Sequence, residues 1–402
     1  MNLTNKLFHI AVITLSILFI VIGNRVASSG IELAVIGNAD QFSGQSFYSA
    51  RITRVVDRIE EDSFGFLTTR IVFEAQITSG ARRRYEVIAT QLLSDFFIIE
   101  EPYVQTGDRV LLVYDDFNED FFFTGFVRIN GVLVLGAVFL VLVIIFGRRK
   151  GINAIVALIL TCLAVFLVFI PAILTGQNIY VATIVVCLFS IVSTLLIVIG
   201  PNKKSLSAML GCLGGVVLAG VLMVIMDPIL TLTGVVDHES QALLMLPTQN
   251  PINLQAIIFA GVILGAVGAI MDVAMTIASS LWEVLEVGGK ANFKTLVKSG
   301  INIGRDVLGT MLNTLILAYI GSSLSLILVI VITTPSYMQL FNMELITVEF
   351  MRALVGAFGM FLTIPLTAVI CGLLYVGGGN VQMPKAPKSE LRGSKRLGNV
   401  DN

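Results

Sequence analysis

The chain alternates between long stretches without Asp, Glu, Lys or Arg and short connections rich in them. The uncharged stretches run over 7–24, 129–147, 151–202, 205–226, 240–271, 307–343 and 353–384. A helix that crosses a bilayer needs about 20 predominantly apolar residues, so each stretch supplies one span and 151–202 supplies two. The break inside that longest pair falls at Thr175-Gly176-Gln177-Asn178, just after Pro171. The pattern predicts eight transmembrane helices, near 8–27, 130–147, 152–174, 179–200, 206–226, 254–279, 307–333 and 350–376. The first reads as a retained anchor and not a cleaved leader, because Gly23-Asn24-Arg25-Val26 lacks the small-residue cleavage pattern.

Between the first two spans the period changes from helical to two. Alternation of apolar or β-branched with polar residues runs through Ser46–Val56, Thr69–Thr78, Tyr85–Leu92, Arg109–Tyr114 and Phe121–Phe126. Ser79-Gly80 and Thr106-Gly107-Asp108 are turn signals. Five short strands in this span predict a small all-β domain, an OB-like barrel. The expected organisation is an anchor at 1–28, a β domain at 29–127, a seven-helix domain at 128–376 and a basic tail at 377–402. A short interfacial helix is expected near 290–300, where Phe293, Leu296 and Val297 form an apolar face opposite Lys294 and Lys298. Asn292 would cap that helix and Gly300 would stop it.

Composition sharpens this picture. With 56% hydrophobic residues, 13% charged and a mean hydropathy of +0.90, too little polar surface exists to coat a soluble globule. Disordered, collagen-like and disulfide-scaffold classes are excluded as well. The net charge of −1 conceals segregation. Residues 29–127 hold 16 acidic and 8 basic side chains. Arg148-Arg149-Lys150, Lys203-Lys204, then Lys290, Lys294, Lys298 and Arg305, and finally the tail from Lys385, occupy alternate connections. The connections 175–178, 227–253 and 334–346 carry neither Lys nor Arg. Because positive residues are retained on the cytoplasmic side, both termini are expected in the cytoplasm and 29–127 outside. The four cysteines, Cys162, Cys187, Cys212 and Cys371, all fall in predicted spans, so the β domain is expected to hold without disulfides.

Ionisable groups within spans are costly in hydrocarbon and so are functional candidates. Gly261, Gly265, Gly268 and Asp272 recur at intervals of four, three and four, which places them on one helical face. Small residues on a stripe favour close helix packing, so Asp272 is expected to face protein. Arg305 and Asp306 open the next helix, followed by Thr310 and Asn313 on the same side. Together these residues suggest a polar path entered from the cytoplasm, with Asp272 binding a proton or cation. The same residues also suit a purely structural arrangement, in which Arg305 pairs with an aspartate while Thr310 and Asn313 bond across helices. Gly211 and Gly215 form a GxxxG pair suited to helix packing. Asp237-His238-Glu239 is a poor metal site, since three adjacent ligands seldom converge on one ion; the acidic run 115–120 could bind a divalent cation but reads better as a solvated loop just before the membrane, and no metal is expected. Glu349 and Arg352 stand at i and i+3, as an ion pair would.

No P-loop, dinucleotide fingerprint, zinc-protease helix or nucleophile elbow occurs. No enzymatic activity, no cofactor and no nucleic-acid partner is therefore expected. An intramembrane aspartyl enzyme would require Asp272 and Asp306 to meet. The stretches Gly265-Ala266-Val267-Gly268-Ala269-Ile270-Met271-Asp272-Val273-Ala274-Met275, Gly304-Arg305-Asp306-Val307-Leu308-Gly309-Thr310-Met311 and Asn313-Thr314-Leu315-Ile316-Leu317-Ala318-Tyr319 resemble the YibE/F family of bacterial multi-pass membrane proteins. The likeness covers roughly 128–376, and the anchor with its β domain is similar to the longer, YibE-type members. The resemblance implies a place in the bacterial cell membrane and assembly with further copies or with a shorter YibF-type protein. It says little about activity. Two functions follow as expectations: a permease working through Asp272, or a non-transporting scaffold whose outer domain binds a partner protein or envelope component.

Overall fold

The structure is a computed structural model that describes residues 3–29, 45–63, 66–80, 82–94, 102–115, 120–245, 251–288, 292–334 and 336–376. Lys290, the middle of the acidic run 115–120 and the basic tail 377–402 lie outside the described residues. The chain divides into two units: Gly30–Gly151, and Met1–Ser29 with Ile152–Asn402.

In the first unit the alternating segments form β1 (Gln45–Ser63), β2 (Phe66–Ile77), β3 (Glu86–Ser94), β4 (Arg109–Asp115) and β5 (Asp120–Phe126). They close into a barrel in the order β1-β2-β3-β5-β4. Closure depends on β1, which pairs with both β2 and β4, Ala50 lying opposite Ile77 on one side and Val110 on the other. Irregularities between Ile52 and Arg54 and between Val55 and Asp57 bend this strand, as bulges do where a sheet must curl. Inward positions Ile52, Phe73, Ala75, Val110 and Leu112 are almost wholly buried. Two inward positions are polar, Thr69 and Gln91. Gln91, fully buried, donates from Nε2 to Pro102 O at 3.2 Å and accepts from Val104 N–H at 3.1 Å. The amide thus latches the approach to β4 onto β3.

The helices are α1 (Leu3–Ala27), α2 (Ile129–Ala164), α3 (Ile170–Leu174), α4 (Ile179–Val198), α5 (Lys203–Leu230), α6 (His238–Leu244), α7 (Leu254–Gly288), α8 (Phe293–Ser322), α9 (Leu324–Thr333), α10 (Tyr337–Asn342) and α11 (Glu344–Val376). Among the described residues, seven helical stretches are long and apolar enough to cross a membrane. The spans expected at 130–147 and 152–174 are two helices within the apolar run Ile129–Leu174, parted by a kink at Arg148 (φ 49°, ψ −127°). A π turn at Val165–Phe169 joins α2 to α3.

Two expectations change. Among the described residues no separate interfacial helix occurs near 290–300, since Phe293–Ser322 is one helix through Gly300. Gly300 does not stop it because glycine here is a packing residue: a Cβ would meet Ala368 Cβ at 2.8 Å and Leu281 Cδ1 at 3.0 Å. The apolar face thought to lie on lipid packs on α11, with Leu296 fully buried and Phe293 and Val297 against Gly372. The expected span 307–333 is interrupted at Ser323 (φ −104°, ψ 13°), where α8 yields to α9.

The main core joins α5, α7 and α11, flanked by α4 and α8, around Cys212, Ile270, Val273, Ile277, Leu281, Met360 and Ile364. Glycines set its tightness. Side chains at Gly211 and Gly215 would run into Thr367 and Thr363 of α11, and one at Gly304 into Ile364. A buried polar tie crosses the core: Tyr375 Oη lies 2.9 Å from Ser207 Oγ and donates to Ala278 O at 3.1 Å, linking α5, α7 and α11. A second cluster packs α1 against the end of α2 and α4, with Phe19 and Phe189 stacked at 4.4 Å.

Candidate functional site

Helix α7 has two unlike faces. Val262, Ile263, Ala266, Ile270, Val273, Ala274, Ile277 and Ala278 are buried in the core. Gly261, Gly265, Gly268 and Asp272 are exposed on the other face. A Cβ at Gly265 would meet Tyr319 Oη at 2.6 Å, whereas at Gly261 and Gly268 it would meet nothing within 4 Å. The glycines therefore leave an open face instead of the continuous helix contact expected of their spacing. Burial of the other side of α7 is supplied by α5 and α11.

Helix α8 continues that open surface. Arg305, Asp306, Gly309, Thr310, Asn313 and Thr314 are all exposed. The antiparallel register of the two helices follows from two contacts, Leu281 on Gly300 and Gly265 against Tyr319. Interpolated between them, Asp272 sits at about the depth of Thr310 to Leu312. Asp272, Thr310 and Asn313 thus share one level. Asp306 lies about 7 Å further along the axis, a poor placement for an aspartyl pair.

The cross-helix bonding that would make these residues mere glue is not what the hydroxyls do. Thr310 Oγ1 donates to Val307 O at 3.0 Å and Thr314 Oγ1 to Thr310 O at 3.0 Å, each within α8. Hydroxyls at i and i−3 or i−4 carbonyls are within reach of one another in any helix. Thr276 Oγ1 likewise donates to Asp272 O at 2.8 Å. Among the described residues Arg305 forms no ion pair with Asp272 or Asp306. The arrangement can offer a carboxylate, an amide and a guanidinium to whatever covers or wets this face.

Other candidates resolve into local structure. Asp237 caps α6, accepting from Ser240 N–H at 2.7 Å, while Ser240 Oγ accepts from Asp237 N–H at 3.0 Å. Glu349 and Arg352 pair at 2.6 Å. No group of three or more metal-ligating side chains occurs among the described residues. Helix α5 runs through Pro228 to Leu230, with Thr231 in the left-handed region (φ 49°) closing it.

Several polar features had no signal in the sequence. Glu344, at the start of α11, accepts from Thr233 N–H (2.8 Å), Thr233 Oγ1 (2.7 Å) and Gly234 N–H (2.7 Å), and so pins the loop after α5. A cavity of about 640 Å³ lies among α4, α5 and α7, with Tyr180, Asp227 and Gln255 at one end and apolar walls elsewhere. Another of about 290 Å³ is lined by α8, α9, α10 and α11 and includes Tyr319 and Glu349. Asp272, Thr310 and Asn313 line neither. These features join residues far apart in the chain, so no local pattern could announce them.

No curated protein and no solved structure matches the chain. The family model described as YibE/F-like protein matches residues 135–377, a span that contains the open face of α7 and α8 and the whole core beneath it. The chain belongs to the YibE/F-like protein family.

Proposed function

We propose that this membrane protein is a permease for a small polar solute, coupled to a proton or another cation through Asp272. The observation that carries the reading is the depth shared by Asp272, Thr310 and Asn313 on a face that the core does not use. A carboxylate within a span is expensive against lipid, so this face works against water or a further protein surface. Arg305 and Asp306, one to two turns nearer the start of α8, extend the polar stripe toward that end of the helix. With the Lys and Arg distribution, that end is cytoplasmic. A half-helix of such residues forms the inner part of a route, and the glycines of α7 let solute approach its backbone.

The test is solute uptake by proteoliposomes under an imposed proton or sodium gradient. Asp272→Asn keeps the shape of the side chain and removes its charge. The expected outcome is loss of gradient-driven flux to background with unchanged insertion and yield. Full flux in that variant removes Asp272 from the mechanism.

A second reading, the non-transporting scaffold, is supported by exposed apolar residues on the barrel. Ile88 (64% exposed) and Leu92 (54%) point outward from β3, with Tyr85 (65%) just before it. Such a patch suits a protein surface. This reading gains if the wild-type protein shows no gradient-dependent flux of any tested solute class.

A further inference from the structure

We propose that the cavity among α4, α5 and α7 binds an amphiphilic amine, an apolar chain ending in a cationic nitrogen, with Asp227 as its counter-ion. The cavity measures about 640 Å³. Leu188, Leu213, Val221, Phe259 and Ile263 are among the side chains that line it. Tyr180 opens α4, Asp227 nears the end of α5 and Gln255 opens α7, so all three lie at the same end of the bundle. From Leu213 to Asp227 the cavity follows α5 for about 20 Å, the reach of a medium alkyl chain. Val217, Val221 and Val224 are half or more exposed, which leaves a side opening through which a membrane-dissolved molecule can enter.

The polar end is what selects the ligand. Asp227 Oδ1 is buried and, among the described residues, has no hydrogen-bond partner, an expensive condition for a carboxylate. Glu344, at the same end, has both oxygens occupied by the 233–234 loop, and Gln255 is held through its Nε2 bond to Leu232 O at 2.5 Å. The contrast singles out Asp227 as the acceptor left over. Among the described residues no Lys or Arg lines the cavity, and the connections 175–178, 227–253 and 334–346 that surround this end contain none. An anionic head group is repelled there, and a neutral alcohol leaves the charge uncompensated. A bare metal ion would find one carboxylate and hydrocarbon. A protonated amine on an alkyl chain satisfies both halves of the cavity.

The experiment uses the full-length protein in phosphatidylglycerol nanodiscs, with saturable binding of dodecylamine compared with that of dodecanol. Wild type is expected to bind the amine more tightly than the alcohol. Asp227→Asn is expected to weaken amine binding about tenfold or more and to leave the alcohol unchanged. Gly220→Leu fills the cavity from α5, where a Cβ would lie 3.6 Å from Phe259 Cζ, and is expected to abolish binding of both. Equal amine affinity in Asp227→Asn, equal affinity of wild type for amine and alcohol, or amine binding that survives in folded Gly220→Leu overturns the proposal. If Asp227→Asn does not fold, the Gly220→Leu and alcohol comparisons decide. Added phosphatidylethanolamine that competes with dodecylamine identifies a bilayer lipid as the source; absence of competition identifies a free amine. Asp272→Asn is expected to retain amine binding, which separates this inference from the permease reading.

Discussion

At the residue scale, two polar side chains show how differently the same chemistry can be placed. Asp272 was visible in the sequence because a carboxylate interrupts an apolar run, and cost in hydrocarbon singles it out. Gln91 was not, because period-two alternation treats an inward polar residue as an irregularity. Only the fold brings the Pro102 carbonyl and Val104 N–H to its amide. Removing that amide leaves the buried Val104 N–H unmatched, at a cost of about 1–3 kcal/mol, and frees the part-buried Pro102 carbonyl. Gln91→Ala is therefore expected to destabilise the barrel by about 2 kcal/mol or more, read as a lowered denaturant midpoint for the β unit of the full-length protein.

At the scale of elements, spacing proved a guide to which residues share a face and no guide to what lies opposite. Gly211 and Gly215 of α5 and Gly261, Gly265 and Gly268 of α7 show the same kind of small-residue stripe. The first pair presses on Thr367 and Thr363 of α11, while Gly261 and Gly268 face open space. Substitution should separate them. Gly215→Val forces a side chain into Thr363 and is expected to cost about 3 kcal/mol, at or beyond the upper end of ordinary overpacking. Gly268→Ala is expected to be tolerated with little change, and its helix propensity is higher. Thermal unfolding of the two purified variants in the same detergent makes the comparison. The segment 293–300 teaches the same lesson, since its apolar stripe suits lipid and a helix surface equally and α11 takes it.

At the scale of the molecule, the distribution of Lys and Arg bears on direction. By the positive-inside rule, basic residues on alternate connections are expected to put 29–127 on the side away from the cytoplasm, and the permease reading uses that direction. Arg83→Cys, in the β unit, is expected to react with a membrane-impermeant maleimide in intact cells. Lys298→Cys, at the start of α8, is expected to react only after permeabilisation. The reverse pattern would turn the proposed route around.

Element number, element type and the barrel were legible in the sequence because they depend on local periodicity: a run of apolar residues needs a helix to satisfy its own backbone in lipid, and alternation needs a sheet. The passage of α8 through Gly300 was not legible, since the neighbours that glycine packs against decided it. Tertiary structure alone determined that Asp272 stands on an open face, that Thr310 and Asn313 share its depth, and that Asp227 closes an apolar cavity with one oxygen unmatched. Such facts arise when segments distant in sequence compete for the same packing surface, and the winner leaves the other faces free.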